Sequence, residues 1–321
     1  MTFPITRSYL SVEALARTLT DLYGLADVRC QLIKAMVCDT YLVTSETGRS
    51  ILRVYRHNQR TLDQINAELD IIEHLAASGL TVAPALPQSS GNRVLSLDAP
   101  EGERHAVLFR FIDGDQLSKS PEPETIRRLG LALAQMHGFL DELVLPFLRP
   151  VIDFQMLVLD SIAAFEAAMP NHSALSVLRE AAAHIEPRFA QLSSAPPAYG
   201  LVHGDVIPSN LLITPNESIA LLDFDFCGYG WRAYDLASFL SEIAFWNMPQ
   251  ATIDAFWNGY ESLRPLSSAE RESVTVFEAA RNIFAFGTPA EHINEWGSVY
   301  LSDRLIDRLL KNLQASLIHL S

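Results

Sequence analysis

The chain has 321 residues, of which 49% are apolar and 19% charged, so it can bury a core large enough for two domains or two lobes. Its formal net charge of -14 argues against binding to nucleic acid or anionic membranes, and is compatible with a cationic or amino-bearing substrate. The three cysteines, Cys30, Cys38 and Cys227, form no C-x-x-C pair, which disfavours a zinc site and favours a reducing compartment.

No targeting or membrane segment stands out in the sequence. Residues 1–10 contain no apolar signal core, and no apolar run approaches the ~20 residues that a helix needs to cross a bilayer. We therefore expect a cytoplasmic protein, as a monomer or a homodimer, with no membrane partner.

The first third of the chain predicts two helices and several strands. Helices are expected over 11–24 and 61–77, where apolar residues recur at spacings of three and four, and Gly79 fits the C-cap of the second. The β-rich runs are bounded by polar turn residues, and the first two form a hairpin signal. The predicted strands are 41–44, 51–55, 93–97 and 105–111.

Helices dominate the prediction beyond residue 112, apart from a β-rich island over about 199–225. This change in character places a boundary near residue 112, with an N-terminal lobe over 1–112 and a C-terminal lobe over 113–321. The predicted helices are 122–140, 154–168, 173–192, 233–246, 250–262, 268–286 and 298–318.

The most informative segment lies in the β-rich island. An apolar run leads into H-G-D, which begins at His203, and Asn210 stands five residues after Asp205. A second apolar run leads into D-F-D, which extends from Asp223 to Asp225. Several carboxylates and an amide are thus expected in the loops between short buried strands.

This set of side chains suits phosphoryl transfer from ATP. The reaction requires the protein to position the acceptor, hold magnesium on the phosphates and neutralise charge. One carboxylate accepts the hydroxyl proton, while a second carboxylate and an amide oxygen bind the metal. Asp205, Asn210 and Asp223 have the order and spacing of those groups in protein kinases.

The pattern resembles the aminoglycoside phosphotransferase and choline kinase superfamily, whose catalytic loop is H-G-D-x-x-x-x-N and whose metal loop is D-x-D. The L-R-V-Y-R sequence at 52–56 is closest to homoserine-kinase-like and stress-response-kinase-like members. The resemblance covers about 30–245 and is specific over 201–237. It implies an α+β, bilobal, protein-kinase-like fold, with a small antiparallel nucleotide-binding lobe and a larger, mostly helical lobe for catalysis and acceptor binding.

The resemblance also implies roles for the motif residues. Asp205 would be the catalytic base, and His203 would brace its loop. Asn210 and Asp223 would bind magnesium, with Asp225 assisting the metal or orienting the loop. The implied cofactors are ATP and Mg²⁺.

The N-terminal lobe should supply a cation for the ATP phosphates, paired with a glutamate on a helix. Protein kinases use a lysine of the third strand. The corresponding position here carries Arg53, which stays cationic and can bind phosphate through two nitrogens. Glu68 is the expected partner, and Glu73 is a weaker candidate. Residues 34–39 replace the glycine-rich loop that covers the nucleotide in protein kinases.

Other polar residues have less specific interpretations. Asp235 is expected to be a buried carboxylate that hydrogen-bonds the catalytic loop. His137 lies on the apolar face of its helix and is expected to be a core residue rather than a ligand. The residues that could line an acceptor pocket in the C-terminal helices are Trp246, Glu278, Arg281, Asn282, Glu291, His292 and Trp296.

The predicted function is transfer of the γ-phosphate of ATP to a hydroxyl of a small molecule, such as an amino alcohol, homoserine, hydroxylysine, choline, a sugar or an aminoglycoside. A nucleotide-binding pseudokinase or regulatory module is one alternative, although the catalytic carboxylates are all present. An atypical protein Ser/Thr kinase is another, although the H-R-D arginine and the A-P-E segment are missing. A G-x-G-x-x-A match at Gly228 lacks the following strand of a dinucleotide-binding unit.

Overall fold

A computed structural model of the chain describes residues 3–145, 149–246, 248–318 and 320. The chain divides into two compact units. Unit 1 comprises Met1–Asp113 with Val144–Leu148, and unit 2 comprises Gly114–Leu143 with Arg149–Ser321. No helix in the described part of the chain is both long and apolar enough to span a bilayer.

Unit 1 is built around an antiparallel sheet. Its five strands lie in the order β1-β2-β3-β6-β5, and the predicted hairpin is formed by β2 and β3. The first strand, β1, was not predicted, because this edge strand is mostly exposed and shows no alternation of apolar and polar residues. The elements of unit 1 are α1 (Val12–Tyr23), β1 (Arg29–Ala35), β2 (Asp39–Ser45), β3 (Gly48–Val54), α2 (Leu62–Ala77), β4 (Thr81–Val82), β5 (Val94–Ala99) and β6 (Gly102–Arg110).

Both predicted helices of unit 1 are confirmed, and local capping explains where they begin. The Ser11 hydroxyl accepts a hydrogen bond from the Ala14 amide at the start of α1. Thr61 and Gln64 form a reciprocal capping box at the start of α2. The apolar face of α1 packs against the sheet, where Leu15 and Leu19 join the same core cluster as Leu52 of β3. Apolar burial thus holds β3 in place, and with it the Arg53 position.

Unit 2 is mostly helical, as predicted, with short strands that carry the motif loops. β8 pairs with β11, and β7, β9 and β10 form a separate antiparallel sheet. The strands are β7 (Asp115–Gln116), β8 (Tyr199–Val202), β9 (Leu211–Ile213), β10 (Ile219–Leu221) and β11 (Gly228–Trp231). The helices are α3 (Pro123–Asp141), α4 (Ser161–Ala168), α5 (Ala174–Phe189), α6 (Arg232–Ile243), α7 (Gln250–Glu261), α8 (Ser268–Glu291), α9 (Ile293–Trp296) and α10 (Asp303–Ile318).

Three helix predictions in unit 2 require correction. The segment predicted as a helix over 154–168 begins with a π-helical stretch, Gln155–Asp160. Helix α8 continues beyond the predicted end at residue 286. The last helix, predicted over 298–318, begins later than predicted at Asp303, because a 3₁₀ turn at Ser298–Leu301 precedes it and Ser302 has an extended backbone. Apolar periodicity continues across such a break, so the pattern alone does not reveal it.

Helices α3 and α7 pack with their backbones in close contact at two glycines. A Cβ atom added at Gly259 would lie 1.9 Å from the Arg127 carbonyl oxygen, and one added at Gly130 would lie 2.1 Å from the Phe256 carbonyl oxygen. A methyl group at either position would therefore force the helices apart.

We expect Gly259→Ala to lower the free energy of unfolding by about 1–3 kcal/mol, the usual cost of overpacking. The matched control is Gly138→Ala on α3, where an added Cβ meets nothing within 4 Å. That control should be neutral or stabilising by up to about 1 kcal/mol, because alanine favours the helix. Urea unfolding of both variants measures the difference. Equal stability of the two variants would contradict the close approach.

Candidate active site

The H-G-D-x-x-x-x-N motif forms the loop between β8 and β9. Only glycine fits at the second position of the motif, for two reasons. Gly204 has a φ of +82°, and an added Cβ would lie 2.4 Å from the Phe226 carbonyl oxygen. A single 3₁₀ turn at Pro208–Asn210 then leads into β9. The loop therefore packs directly against the backbone of Phe226, the residue that follows the D-F-D segment.

Asp205 and Asn210 are joined by hydrogen bonds within this loop. The Asn210 Nδ2 donates to the Asp205 carboxylate Oδ2 at 2.9 Å and to the Asp205 carbonyl oxygen at 3.0 Å. Because the amide nitrogen makes both contacts, the Asn210 Oδ1 can face a metal ion. The predicted pair is thus brought together, with the carboxylate partly exposed and the asparagine buried.

Asp223 lies at the same end of the β9–β10 hairpin as Asn210. The Leu222 amide donates to the Asn210 carbonyl oxygen at 2.9 Å, and Asp223 follows with an exposed side chain. Its backbone is left-handed, with φ 66° and ψ 69°, a conformation that aspartate adopts more readily than most residues. Asp225, two residues later, is buried.

Oxygen ligands of this kind fit Mg²⁺, which prefers carboxylates and carbonyl oxygens. Among the described residues, no cluster of three or more histidine, cysteine, aspartate or glutamate side chains could hold a metal. A metal bound here would accordingly depend on the amide oxygen of Asn210 as well as on the carboxylate of Asp223.

Asp235 hydrogen-bonds the backbone of the H-G-D loop, as predicted. Its side chain is fully buried, and it accepts hydrogen bonds from the His203 and Gly204 backbone amides, each at 2.8 Å. The His203 ring in turn contacts the Leu222 carbonyl oxygen at 3.0 Å and accepts from the Asp205 amide at 3.2 Å. His203 thus links the H-G-D loop to the β9–β10 hairpin, which Asp223 follows.

His137 is a core residue, as predicted, but it also supports Asp235. Its Nε2 lies 3.0 Å from the Asp235 carboxylate, and its Nδ1 lies 2.8 Å from the Tyr260 hydroxyl. Burial lowers the pKa of His137 from 6.5 to about 4, and this outweighs the opposing effect of Asp235. The hydrogen bond from His137 keeps the pKa of Asp235 below its usual value, although burial acts to raise it.

The buried, neutral His137 predicts a loss of stability in acid. The unfolded histidine takes up a proton near pH 6.5, whereas the folded one does so only near pH 4. The free energy of unfolding should therefore have its full value above pH 6.5. It should fall by up to about 3 kcal/mol as the pH drops to 4, because the unfolded chain then binds a proton that the folded chain does not.

Urea unfolding at several pH values measures this slope. His137→Gln should have a shallower slope over the same range, whereas His184→Gln, at an exposed site on α5, should keep the slope of the natural chain. Identical slopes in all three proteins would mean that His137 does not titrate between the two values.

Arg149 holds the D-F-D segment by its backbone, a role that the sequence did not indicate. Its buried guanidinium donates to the carbonyl oxygens of Cys227 and Asp225, each at 2.8 Å, and of Phe224 at 3.4 Å. These bonds hold the backbone of the turn that follows Asp223, where the Phe224 carbonyl oxygen also accepts from the Cys227 amide at 2.9 Å. No motif predicts such an arginine, because carbonyl oxygens carry no sequence signal.

In unit 1, Arg53 and Glu68 form the predicted ion pair. Both side chains are buried, and Tyr55 joins them, since its hydroxyl lies 3.0 Å from Glu68 Oε2 and 3.1 Å from Arg53 Nη2. The alternative partner, Glu73, pairs instead with Arg93. Strand β3 and helix α2 thus present a fixed guanidinium, which phosphate oxygens could bind.

The acceptor-pocket candidates make different contacts. Arg281 contacts Asp205, whereas Asn282 faces Ser316 at 3.5 Å. Glu278 lines a groove of about 660 Å³ with residues of α6 and α7, and burial raises the pKa of its carboxyl to about 7. His292 and Trp296 stack on each other with ring centroids 4.6 Å apart.

The antiparallel sheet, the helical unit and the two motif loops define the class of protein-kinase-like small-molecule kinases. The chain belongs to the phosphotransferase enzyme family, whose sequence profile matches residues 38–266. The resemblance and the fold predicted from it are therefore confirmed.

Three similar proteins illustrate the family. A homoserine kinase of Rhizobium etli is 31% identical over 217 residues, which cover 65% of this chain and 63% of that protein. The structure of the microcompartment-associated aminopropanol kinase is 25% identical, with a TM-score of 0.78 over 95% of each chain. The amicoumacin kinase hAmiN, solved in complex with AMP-PNP, Ca²⁺ and Ami, has a TM-score of 0.81 at 19% identity over 95% of this chain and 94% of that one.

Proposed function

We propose that the protein is an ATP-dependent, magnesium-requiring kinase that phosphorylates a hydroxyl group of a small molecule. The observation that carries the proposal is the Asp205–Asn210 pair, in which the amide nitrogen orients the carboxylate and leaves the amide oxygen for a metal. This is the arrangement that phosphoryl transfer requires of a base and a metal ligand on one loop.

In the proposed reaction, Asp205 accepts the proton of the acceptor hydroxyl. The acceptor oxygen forms a bond to the γ-phosphorus of ATP as the bond from that phosphorus to the β,γ-bridging oxygen breaks. The products are the phosphate ester and ADP, and the protonated Asp205 releases its proton to solvent. His203 and Asp235 contribute by keeping the loop backbone fixed.

Charge on the phosphates would be neutralised by cations. Magnesium, held by Asn210 and Asp223 with Asp225 nearby, would supply positive charge to the phosphate oxygens. Arg53 would bind phosphate oxygens through its guanidinium, and Glu68 would hold that guanidinium in place. AMP-PNP in the amicoumacin kinase complex supports a nucleotide as the phosphoryl donor.

We further propose that the acceptor is an alcohol that also carries an amino group. The names of the homoserine kinase and the aminopropanol kinase support this class. The net charge of -14 is compatible with a cationic substrate.

The test measures ADP formation from ATP and Mg²⁺ with a panel of amino alcohols, homoserine, choline, sugars and aminoglycosides. Each active acceptor is paired with its deoxy analogue and with an alcohol of the same length that lacks the amine. We expect acceptor-dependent turnover that needs the hydroxyl and falls without the amine. ATP binding with no acceptor-dependent turnover would instead favour the regulatory module. Turnover that is equal without the amine would remove the amino-alcohol class.

A further inference from the structure

Arg281, on α8, contacts the proposed base directly. Its Nη2 donates to Asp205 Oδ1 at 2.8 Å, and its side chain is only 9% exposed. Asn210 donates to the other carboxylate oxygen, Oδ2. Each oxygen of Asp205 therefore has its own donor, and this pair of donors selects a single rotation of the carboxylate.

These contacts leave the carboxylate able to react. A carboxylate oxygen has two lone pairs, so an oxygen that already accepts from Arg281 or Asn210 can accept a further hydrogen bond from a hydroxyl. The guanidinium keeps its own proton at every physiological pH, so it can orient the base without exchanging a proton with the acceptor.

Arg281 is itself held by neighbours on α6. Its Nη1 donates to the Tyr234 hydroxyl at 3.3 Å, and Glu242 Oε1 lies 4.0 Å from its Nη2. Burial acts to lower the pKa of Arg281, but Tyr234, Asp205 and Glu242 raise it further than burial lowers it. Because this guanidinium is fixed, its hydrogen bond restrains the position of the Asp205 carboxylate. A mobile surface arginine could not restrain it in this way.

We propose that Arg281 is a positioning residue, which holds the Asp205 carboxylate in the rotation that accepts the hydroxyl proton. The inference rests on the proposed function, because it takes Asp205 as the base. A purely structural ion pair is the competing explanation, and such a pair would affect folding but not the catalytic step.

The kinetic test compares Arg281→Gln and Arg281→Lys with Arg179→Gln, whose arginine on α5 is 55% exposed and pairs with Glu166. We expect Arg281→Gln to lower kcat roughly 10- to 100-fold, the usual effect of a misplaced catalytic group. KM for ATP and the affinity for ADP should change less than about twofold, because Arg281 acts through the base. Lysine should restore part of kcat, and Arg179→Gln should behave as the natural chain does.

Crystal structures of the natural chain and of Arg281→Gln provide a readout that does not depend on turnover. We expect the catalytic-loop backbone to superimpose while the Asp205 carboxylate rotates away from its position in the natural chain. An unmoved carboxylate, or an unchanged kcat in the folded variant, would overturn the role of Arg281. Absence of acceptor-dependent turnover in the natural chain would count against the proposed function instead, and the carboxylate position would still test the contact.

Discussion

Asp205→Asn should lower kcat by roughly 10²–10⁴-fold, the usual contribution of a general base. Asparagine has nearly the same shape, but its side chain cannot take up the hydroxyl proton. It also turns an NH₂ group toward either Arg281 or Asn210, both of which donate to Asp205 in the natural chain. The affinity for ADP should remain within about twofold, because the substitution does not remove the residues proposed to bind the nucleotide. Steady-state kinetics and ADP titration measure these two quantities.

The control for this substitution is Asp254→Asn, at an exposed position on α7. It makes the same chemical change at a residue that belongs to no motif and whose carboxylate accepts from Gln250, and kcat should be unaltered. If Asp205→Asn retained a kcat within a few fold of the natural chain, Asp205 would not be the base.

Asp235→Asn should lower the free energy of unfolding by about 3–5 kcal/mol, the cost of breaking a buried charged network by removing one partner. The natural carboxylate accepts from His203, Gly204 and His137, and its side chain is fully buried. An amide group has only one acceptor oxygen, so its NH₂ must face at least one of these donors. Two buried groups would then lack a partner.

Urea unfolding near pH 7 measures this loss, and the exposed Asp307 of α10 supplies the control variant, Asp307→Asn. The control should remain within about 0.5 kcal/mol of the natural chain, as most surface substitutions do. Activity of Asp235→Asn should fall as well, because the backbone of the H-G-D loop loses one of its two hydrogen bonds to this side chain. A change below about 1 kcal/mol would show that the loop amides have other acceptors.

The parts of the fold and site that the sequence predicted have a local cause. The hairpin of β2 and β3 follows from two β-rich runs around a short turn, and α2 follows from apolar spacing and its capping box. The approach of Asp205 to Asn210 is likewise local, because they are five positions apart and Asn210 ends a 3₁₀ turn that lies between them. Local structure depends on the types of neighbouring residues, so the residue pattern of the sequence predicts it.

The parts that the sequence did not predict depend on distant residues. Arg281 contacts Asp205 across 76 positions of the chain, and Arg149 contacts Asp225 across another 76. Neither arginine belongs to a motif, and their partners include backbone carbonyls and a carboxylate with other functions. Tertiary packing alone brings these groups together, so the sequence could offer Arg281 as a pocket residue but could not reveal its contact with Asp205. The edge strand β1 was not predicted for a different reason: neither of its faces is buried, so its sequence shows no alternation of apolar and polar residues.

The left-handed backbone at Asp223 has a consequence for how this chain tolerates mutation. A residue other than glycine in that conformation costs roughly 1 kcal/mol or more, and glycine would remove this strain. Asp223→Gly would also remove the carboxylate proposed to bind magnesium. Selection for thermal stability alone, without a screen for activity, should therefore enrich variants that lack the proposed magnesium ligand. If Asp223 has the proposed role, glycine at 223 in a relative would mark a protein that has lost the proposed reaction.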